Sequence, residues 1–181
     1  MADRESVEDR IAESALQLLR TGGPRSVTVE AVTAHSGIAK TTIYRRHRDR
    51  REMLAAVLSR LVTPAPLPVQ ADTPQRFRWI IRHAIGAIDD GIGFGGFASL
   101  LTDDDTEFNT LFRQILVDQR AQLVSVIDAS VADGSMRGDI DSQTLLDAIV
   151  GAHVADRARN GQFAEDWEDR LFDLFWPTVA S

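Results

Sequence analysis

The side chains best suited to chemistry lie between Val27 and His47. Lys40, Thr41, Thr42, Tyr44 and Arg45 follow one another closely, and each can donate a hydrogen bond to a phosphate oxygen or a base edge. Cations gather around them: Lys40, Arg45, Arg46, Arg48, Arg50 and Arg51 lie within 12 residues, against Asp49 alone. Such a patch suits a polyanion, although a bare charge run reads more simply as a solvated helix face. Other chemistries lack their residues. Cysteine is absent, so there is no disulfide, thiol nucleophile or cysteine-ligated metal. Neither His35, His47, His83 nor His153 has a second histidine three or four residues away, which leaves no helical metal pair. Gly91-Ile92-Gly93-Phe94-Gly95-Gly96 has the letters of a dinucleotide fingerprint. It follows a helical pattern ending in Asp89-Asp90 and not a strand, so it reads as a flexible interhelical loop. Asp103–Asp105 and Glu165–Asp166 suit helix N-termini. No catalytic residue, metal or cofactor is expected.

The elements that must position the polar cluster read as helices throughout. Val7, Ile11, Ala15 and Leu18 recur at helical spacing, up to Gly22-Gly23-Pro24. Ser26 is the expected N-cap of a short helix through Val29 and Val32. Gly37 breaks that helix, a second runs from about Ala39 through Ile43 and Tyr44, and a third starts near Asp49 and carries Met53, Leu54, Val57, Leu58 and Leu61. Four of the six prolines then fall in residues 63–75, and proline's missing N–H and ring clash make this stretch the expected linker. Beyond it lie a helix through Phe77–Ile88, a short one with Phe97 and Leu100, and one of about 30 residues after Asp105, spanning roughly 45 Å. Two more are expected, Ser142 to about Ala158 and Ala164 to about Trp176, the latter stopped by Pro177. The fold class is all-α. Residues 1–62 are expected to form a three-helix helix-turn-helix domain, 63–75 a proline-rich linker, and 76–181 a second helical domain.

A helix-turn-helix needs two short helices joined by a tight turn, with a glycine where φ must be positive. Val29 and Val32 supply one packing face, Gly37 the turn, and Ile38 and Ile43 the anchors of the second helix. Lys40, Thr41, Thr42, Tyr44 and Arg45 are left facing outward. At this point Ser36-Gly37-Ile38-Ala39-Lys40-Thr41-Thr42-Ile43-Tyr44-Arg45-Arg46-His47 resembles the turn and recognition helix of the TetR family of transcriptional regulators. The resemblance covers residues 5–61 in motif and the rest by helix layout and length. It implies that Thr28 binds phosphate, that Lys40, Thr41 and Thr42 meet base edges or phosphates, that Tyr44 bonds a phosphate, that Arg45 contacts base or backbone, and that Arg50 meets phosphate. Tyr44 could also be a packing residue, and Arg46, Arg48 and Arg51 could as well be solvated. Thr33 and Ser36 stand where the family usually has alanine, Arg46 where it has histidine, and His47 where it has phenylalanine, which weakens an expected core contact.

The later helices suggest two further roles. Trp79, Phe94, Phe97, Leu100, Phe108, Phe112 and Leu116 exceed what a thin bundle needs, and His83 and Arg113 are the polar residues among them. Together they suit an apolar ligand pocket, entered by the glycine-rich loop; the plainer alternative is that they fill the core. The TetR resemblance points the same way and implies a hydrophobic small-molecule effector. Leu146, Val150, Gly151 and Ala155, with Trp167, Leu171 and Phe175, form two terminal helices that are apolar on more than one side and partly small-residue. They either close the protomer's core or cover a partner, and the resemblance implies a four-helix homodimer interface.

Length and charge fit this division. The chain has 181 residues, 44% hydrophobic and 26% charged, an ordinary globular composition. The net charge is −7, which excludes a generally basic nucleic-acid coat, yet residues 1–62 carry 11 Lys and Arg against 8 Asp and Glu. No apolar run approaches the roughly 20 residues of a bilayer span and the first residues lack a signal peptide, so a cytoplasmic protein with no membrane partner is expected. The implied function is a ligand-responsive repressor that binds a palindromic double-stranded DNA operator as a dimer. The competing reading is a helical small-molecule-binding protein or enzyme with an incidental helix-turn-helix resemblance.

Overall fold

A computed structural model of the chain describes residues 6–62, 66–68, 70–162 and 165–181, and α-helix dominates them. Helix α1, Val7–Gly22, opens with a reciprocal cap: the Ser6 hydroxyl accepts from the Asp9 N–H at 3.1 Å, and the Asp9 carboxylate accepts from the Ser6 N–H at 3.0 Å. Helices α2, Val29–Ser36, α3, Lys40–Arg46, and α4, Arg50–Ser59, follow. Ser26 does not cap α2. It ends a 3₁₀ turn, Pro24–Ser26, and its hydroxyl donates to the Leu18 and Gly23 carbonyls. Thr28 takes the cap, accepting from the Ala31 N–H at 3.1 Å. Asp49 caps α4 through the Glu52 N–H at 2.8 Å.

Helix α5, Thr73–Gly86, starts inside the expected linker. Asp72 and Gln75 exchange hydrogen bonds of 2.9 and 3.1 Å across its first turn, and Pro74 lies where the N–H has no helical partner to lose. Residues 63–65 and 69 of that linker lie outside the described residues. The glycine-rich segment is not a loop. Residues Ala87–Ile92 form a π-helical turn and α6, Gly93–Thr102, follows directly. A Cβ at Gly96 would come within 2.8 Å of the Ile92 side chain, so the glycine serves close packing and not an entrance.

Helix α7, Thr106–Ala132, has 27 residues and is capped by Asp105, which accepts from the Phe108 N–H at 3.0 Å. Helix α8, Ser142–Asn160, is capped by Asp141. Helix α9, Trp167–Val179, carries Pro177 inside its last turn, where one lost hydrogen bond leaves the final turn intact; the expected start at Ala164 lies outside the described residues. An isolated antiparallel bridge joins Met136 and Ala180.

Two compact units result, and neither is continuous in sequence. Residues 1–63 and 87–116 make the first; 64–86 and 117–181 make the second. The first core joins Ile11, Leu19, Val32, Ile43, Leu54 and Leu58 to Ala87, Ile92, Phe108 and Phe112. The second joins Phe77, Ile80, Ile81 and Ile85 of α5 to Leu123, Ile127, Leu146, Ile149 and Leu171. Residues 87–116 thus share the core of the expected DNA-binding region, because α6 packs on α1. One stretch, Thr73–Thr102, is long and apolar enough to cross a bilayer by length and composition alone, against the expectation that no apolar run approaches that length. Phe77, Ile80, Ile81, Ile85, Ala87, Ile88 and Ile92 along it are buried in protein, which accounts for its apolar character.

Candidate nucleic-acid interface

The turn between α2 and α3 has the geometry its residues require. Gly37 is left-handed at φ 69° and its N–H closes α2 on the Thr33 carbonyl at 3.0 Å. Ser36 donates to the Val32 carbonyl at 2.6 Å and accepts from the Ile38 N–H at 3.1 Å. Arg10 of α1 reaches across to the Ser36 carbonyl at 2.6 Å. Ile38 and Ile43 are buried in the first core together with Val29 and Val32. With Ile43 fully buried behind it, α3 turns Lys40, Thr41, Tyr44 and Arg45 to solvent and leaves Thr42 half-buried. Tyr44 is 45% exposed, one of few large apolar side chains so placed, so it is not a core residue. Thr28 uses an oxygen lone pair for its cap and keeps its hydroxyl proton for a further acceptor.

Electrostatics divides the cations of this patch. The Lys40 ammonium is hydrogen-bonded to Glu30 of α2 and sits 5.6 Å from the centre of the Tyr44 ring. Arg46 pairs with Glu8 of α1 at 2.7 Å, and Arg48 with Glu52 at 3.2 Å. His47, which stands in place of the family's phenylalanine, still enters the core: it is buried, with Nε2 3.4 Å from a Glu8 oxygen. Among the described residues, Arg45 and Arg51 have no acid within ion-pair distance.

Arg50 is placed differently from the expectation that it meets phosphate. Its guanidinium donates to Asp105 at 2.6 Å, to Glu107 at 2.7 Å, and to the Val27 and Pro24 carbonyls, both at 2.7 Å. Burial would raise the Asp105 carboxyl, but hydrogen bonds from Arg50 and the Phe108 N–H outweigh it and hold the group below its ordinary value. Arg50 thus ties the 3₁₀ turn and the start of α4 to the start of α7. Asp105 read from sequence as a helix cap alone, and no spacing signal announced a partner 55 positions away.

The expected pocket residues divide between the units. Trp79 and His83 lie on α5 in the second, their rings stacked at 4.0 Å, with His83 Nδ1 2.7 Å from the Trp79 carbonyl oxygen. Phe94, Phe97, Phe108, Phe112, Arg113 and Leu116 belong to the first. Phe94 and Phe97 face each other at 6.4 Å. Phe108 and Phe112 are fully buried and stacked at 5.6 Å, which matches the core-filling alternative for those two. Arg113 is exposed and donates to the Leu100 carbonyl at 3.2 Å. Leu116 is half-buried on the first core.

The expected interface residues also separate. Leu146 and Leu171 are buried within the second core, and Val150, Trp167 and Phe175 pack on its edge. Gly151 and Ala155 are exposed, and a Cβ at Gly151 would meet nothing. A groove of about 460 Å³ between α8 and α9 is lined by the apolar Ala152, Trp167, Leu171 and Leu174, by His153, and by the charged Asp156, Arg159, Arg170 and Asp173, and Leu174 is 62% exposed.

A helix-turn-helix with a cationic, hydroxyl-bearing second helix, set in an all-helical chain, has the architecture of a DNA-binding module. Residues 11–57 match the family model described as bacterial regulatory proteins, tetR family. Solved structures extend the likeness in fold over nearly the whole chain. A TetR transcriptional regulator from Agrobacterium tumefaciens is 17% identical, with a TM-score of 0.67 over 97% of this chain and 96% of that one. A transcriptional regulator from Saccharomonospora viridis in complex with choline is 15% identical, with a TM-score of 0.69 over 98% and 100%. The regulator FadR of Bacillus subtilis, in complex with stearoyl-CoA, is 15% identical, with a TM-score of 0.64 over 91% and 95%. No curated protein matches the sequence. The family match thus rests on residues 11–57, and the remainder of the chain shares the fold of these regulators.

Proposed function

We propose that this protein is a cytoplasmic, ligand-responsive repressor that binds a palindromic operator as a homodimer. The observation that carries the reading is α3: Ile43 is buried at its back while Lys40, Thr41, Tyr44 and Arg45 stand outward. Two such helices about 34–36 Å apart reach successive major grooves. Thr28, Thr42 and Tyr44 supply hydroxyl donors, and Lys40 and Arg45 supply charge. The open small-residue face at Gly151 and Ala155, with Leu174 exposed on α9, suits a second copy of α8 and α9. Relatives of the same fold hold choline or stearoyl-CoA, which supports a small-molecule effector here. The stacked Trp79 and His83 of α5 are its first candidate contacts. A helical enzyme or carrier finds no support in the recognition helix and is not favoured.

The test is binding to the DNA upstream of the protein's own gene across a salt series. Lys40→Ala should weaken binding and reduce the log–log salt slope by about one. Tyr44→Phe should weaken it through one lost phosphate bond, with the fold unchanged by circular dichroism. Unchanged affinity and slope in both would remove α3 from the DNA.

A further inference from the structure

The recognition helix carries the only lysine in the chain, and an acid holds it. Glu30 is the second residue of α2 and Lys40 the first of α3, ten positions apart across the turn. The ammonium donates to a Glu30 carboxylate oxygen and lies over the Tyr44 ring. Both partners face water: the Lys40 side chain is 49% exposed and that of Glu30 is 64% exposed. An ion pair so exposed adds little to folding, and the turn is already secured by Gly37, Ser36, Arg10 and the buried Ile38 and Ile43. The pair's consequence falls on the surface that meets DNA. A carboxylate there opposes phosphate and occupies the cation that generic backbone binding would use.

We propose that Glu30 is a specificity-determining residue: by holding Lys40, it suppresses sequence-independent binding and releases the lysine only where a base-edge acceptor replaces the carboxylate. This deepens the DNA-binding reading and rests on it. Sequence-independent affinity scales with the cations free to neutralise phosphate. Arg45, with no acid beside it among the described residues, belongs to that always-available set; Lys40 does not. A guanine edge, with its O6 and N7 acceptors, is the partner a lysine can read in the major groove. The N7 and O6 acceptors together replace the carboxylate that Lys40 leaves, and they do so at one fixed place on the duplex. The hydrogen bond from Lys40 holds the Glu30 carboxyl below its ordinary value, so the acid stays ionised wherever DNA binding is measured.

The experiment uses the full chain and two duplexes, one of random sequence and one carrying the best-bound sequence selected from a random pool. Affinity is read by fluorescence anisotropy across a salt series. Glu30→Gln should raise affinity for the random duplex roughly two- to fivefold, the scale of an exposed ion pair, and steepen its salt slope by about one. The selected duplex should gain less, so that the ratio of the two affinities falls. In a Lys40→Met background the same Glu30→Gln change should leave the ratio where it was. An unchanged or rising ratio in the protein that keeps Lys40 overturns the proposal, as does an equal fall of the ratio in the Lys40→Met background, which would mean that Glu30 acts without the lysine. A wild-type protein that binds neither duplex at low salt would instead overturn the DNA-binding reading itself.

Discussion

Each unit is held together internally by its own balance of forces. In the first, the short helices around the turn bury mainly aliphatic side chains, Ile11, Leu19, Ile43, Leu54 and Leu58, and arginines close its irregular joints. Arg20 donates to the Gly91 carbonyl at 2.8 Å and to that of Asp90, groups at the π-helical turn. Arg25 donates to the Asp104 carbonyl at 2.8 Å, and Arg50 binds two carboxylates and two carbonyls. In the second, aromatic area does more of the work. Phe77 lies 5.9 Å from Phe172 and 6.2 Å from Trp176, Phe172 and Trp176 stack at 5.2 Å, and the Arg78 guanidinium covers Phe172 at 4.1 Å. Directional bonds fix the unit that must present a helix to DNA in one orientation. The other combines its aromatic packing with ion pairs nearer the surface, Arg78 with Asp169 and Arg120 with Asp147, both at 2.6 Å.

The strongest way to break this comparison is to empty each core. Phe77→Ala should cost about 3–5 kcal/mol, through lost transfer energy and the cavity left among the aromatic rings. Denaturant unfolding gives the size, and amide exchange should show the loss in α5, α8 and α9. Equal loss of protection around α2 and α3 would mean that the units do not open separately. Arg50→Ala comes next, at about 2 kcal/mol, because charge-assisted hydrogen bonds vanish and two carbonyls and a largely buried carboxylate lose their donor. Its exchange signature should appear at the starts of α4 and α7, and α9 should be untouched.

The smallest effects sharpen the contrast through pH. Asp105 is depressed in the folded state, so its contribution is present above the ordinary carboxylate value of about 3.9. It is lost as pH falls through the lower folded value. Asp105→Asn should therefore lower the melting temperature at neutral pH and flatten its fall in acid. Asp133, in the second unit, is depressed to about 2 by hydrogen bonds from Ser135, whose N–H lies at 2.9 Å, and from Arg76. Its carboxylate is exposed and screened, so Asp133→Asn should change the acid limb less than Asp105→Asn despite that shift. A larger change from Asp133 would reverse the ranking of the two units by polar bonding.

Much of the functional face was readable in the order of residues. A left-handed glycine at 37, apolar residues at 38 and 43 and donors between them specify a short helix with one buried and one open side. These are local requirements of turn geometry and helical period, and Asp49 and Asp105 mark helix starts for the same reason. The glycine-rich segment misled because glycine signals both loops and close packing, and only the position of Ile92 against Gly96 separates the two. Ser26 misled in the same way, since its hydroxyl found the Leu18 carbonyl before it could cap α2.

What local order could not decide were the partners. Arg45, Arg46, Arg48 and Arg50 have nearly the same chemistry and neighbours in sequence. Their roles part according to which carboxylate the fold delivers: none among the described residues for Arg45, Glu8 for Arg46, Glu52 for Arg48, Asp105 and Glu107 for Arg50. Helical period sets which way a side chain points, and that much is written in the chain. Whether a charge meets solvent or an acid from a distant helix is set by how the helices pack, and that is a property of the tertiary structure alone.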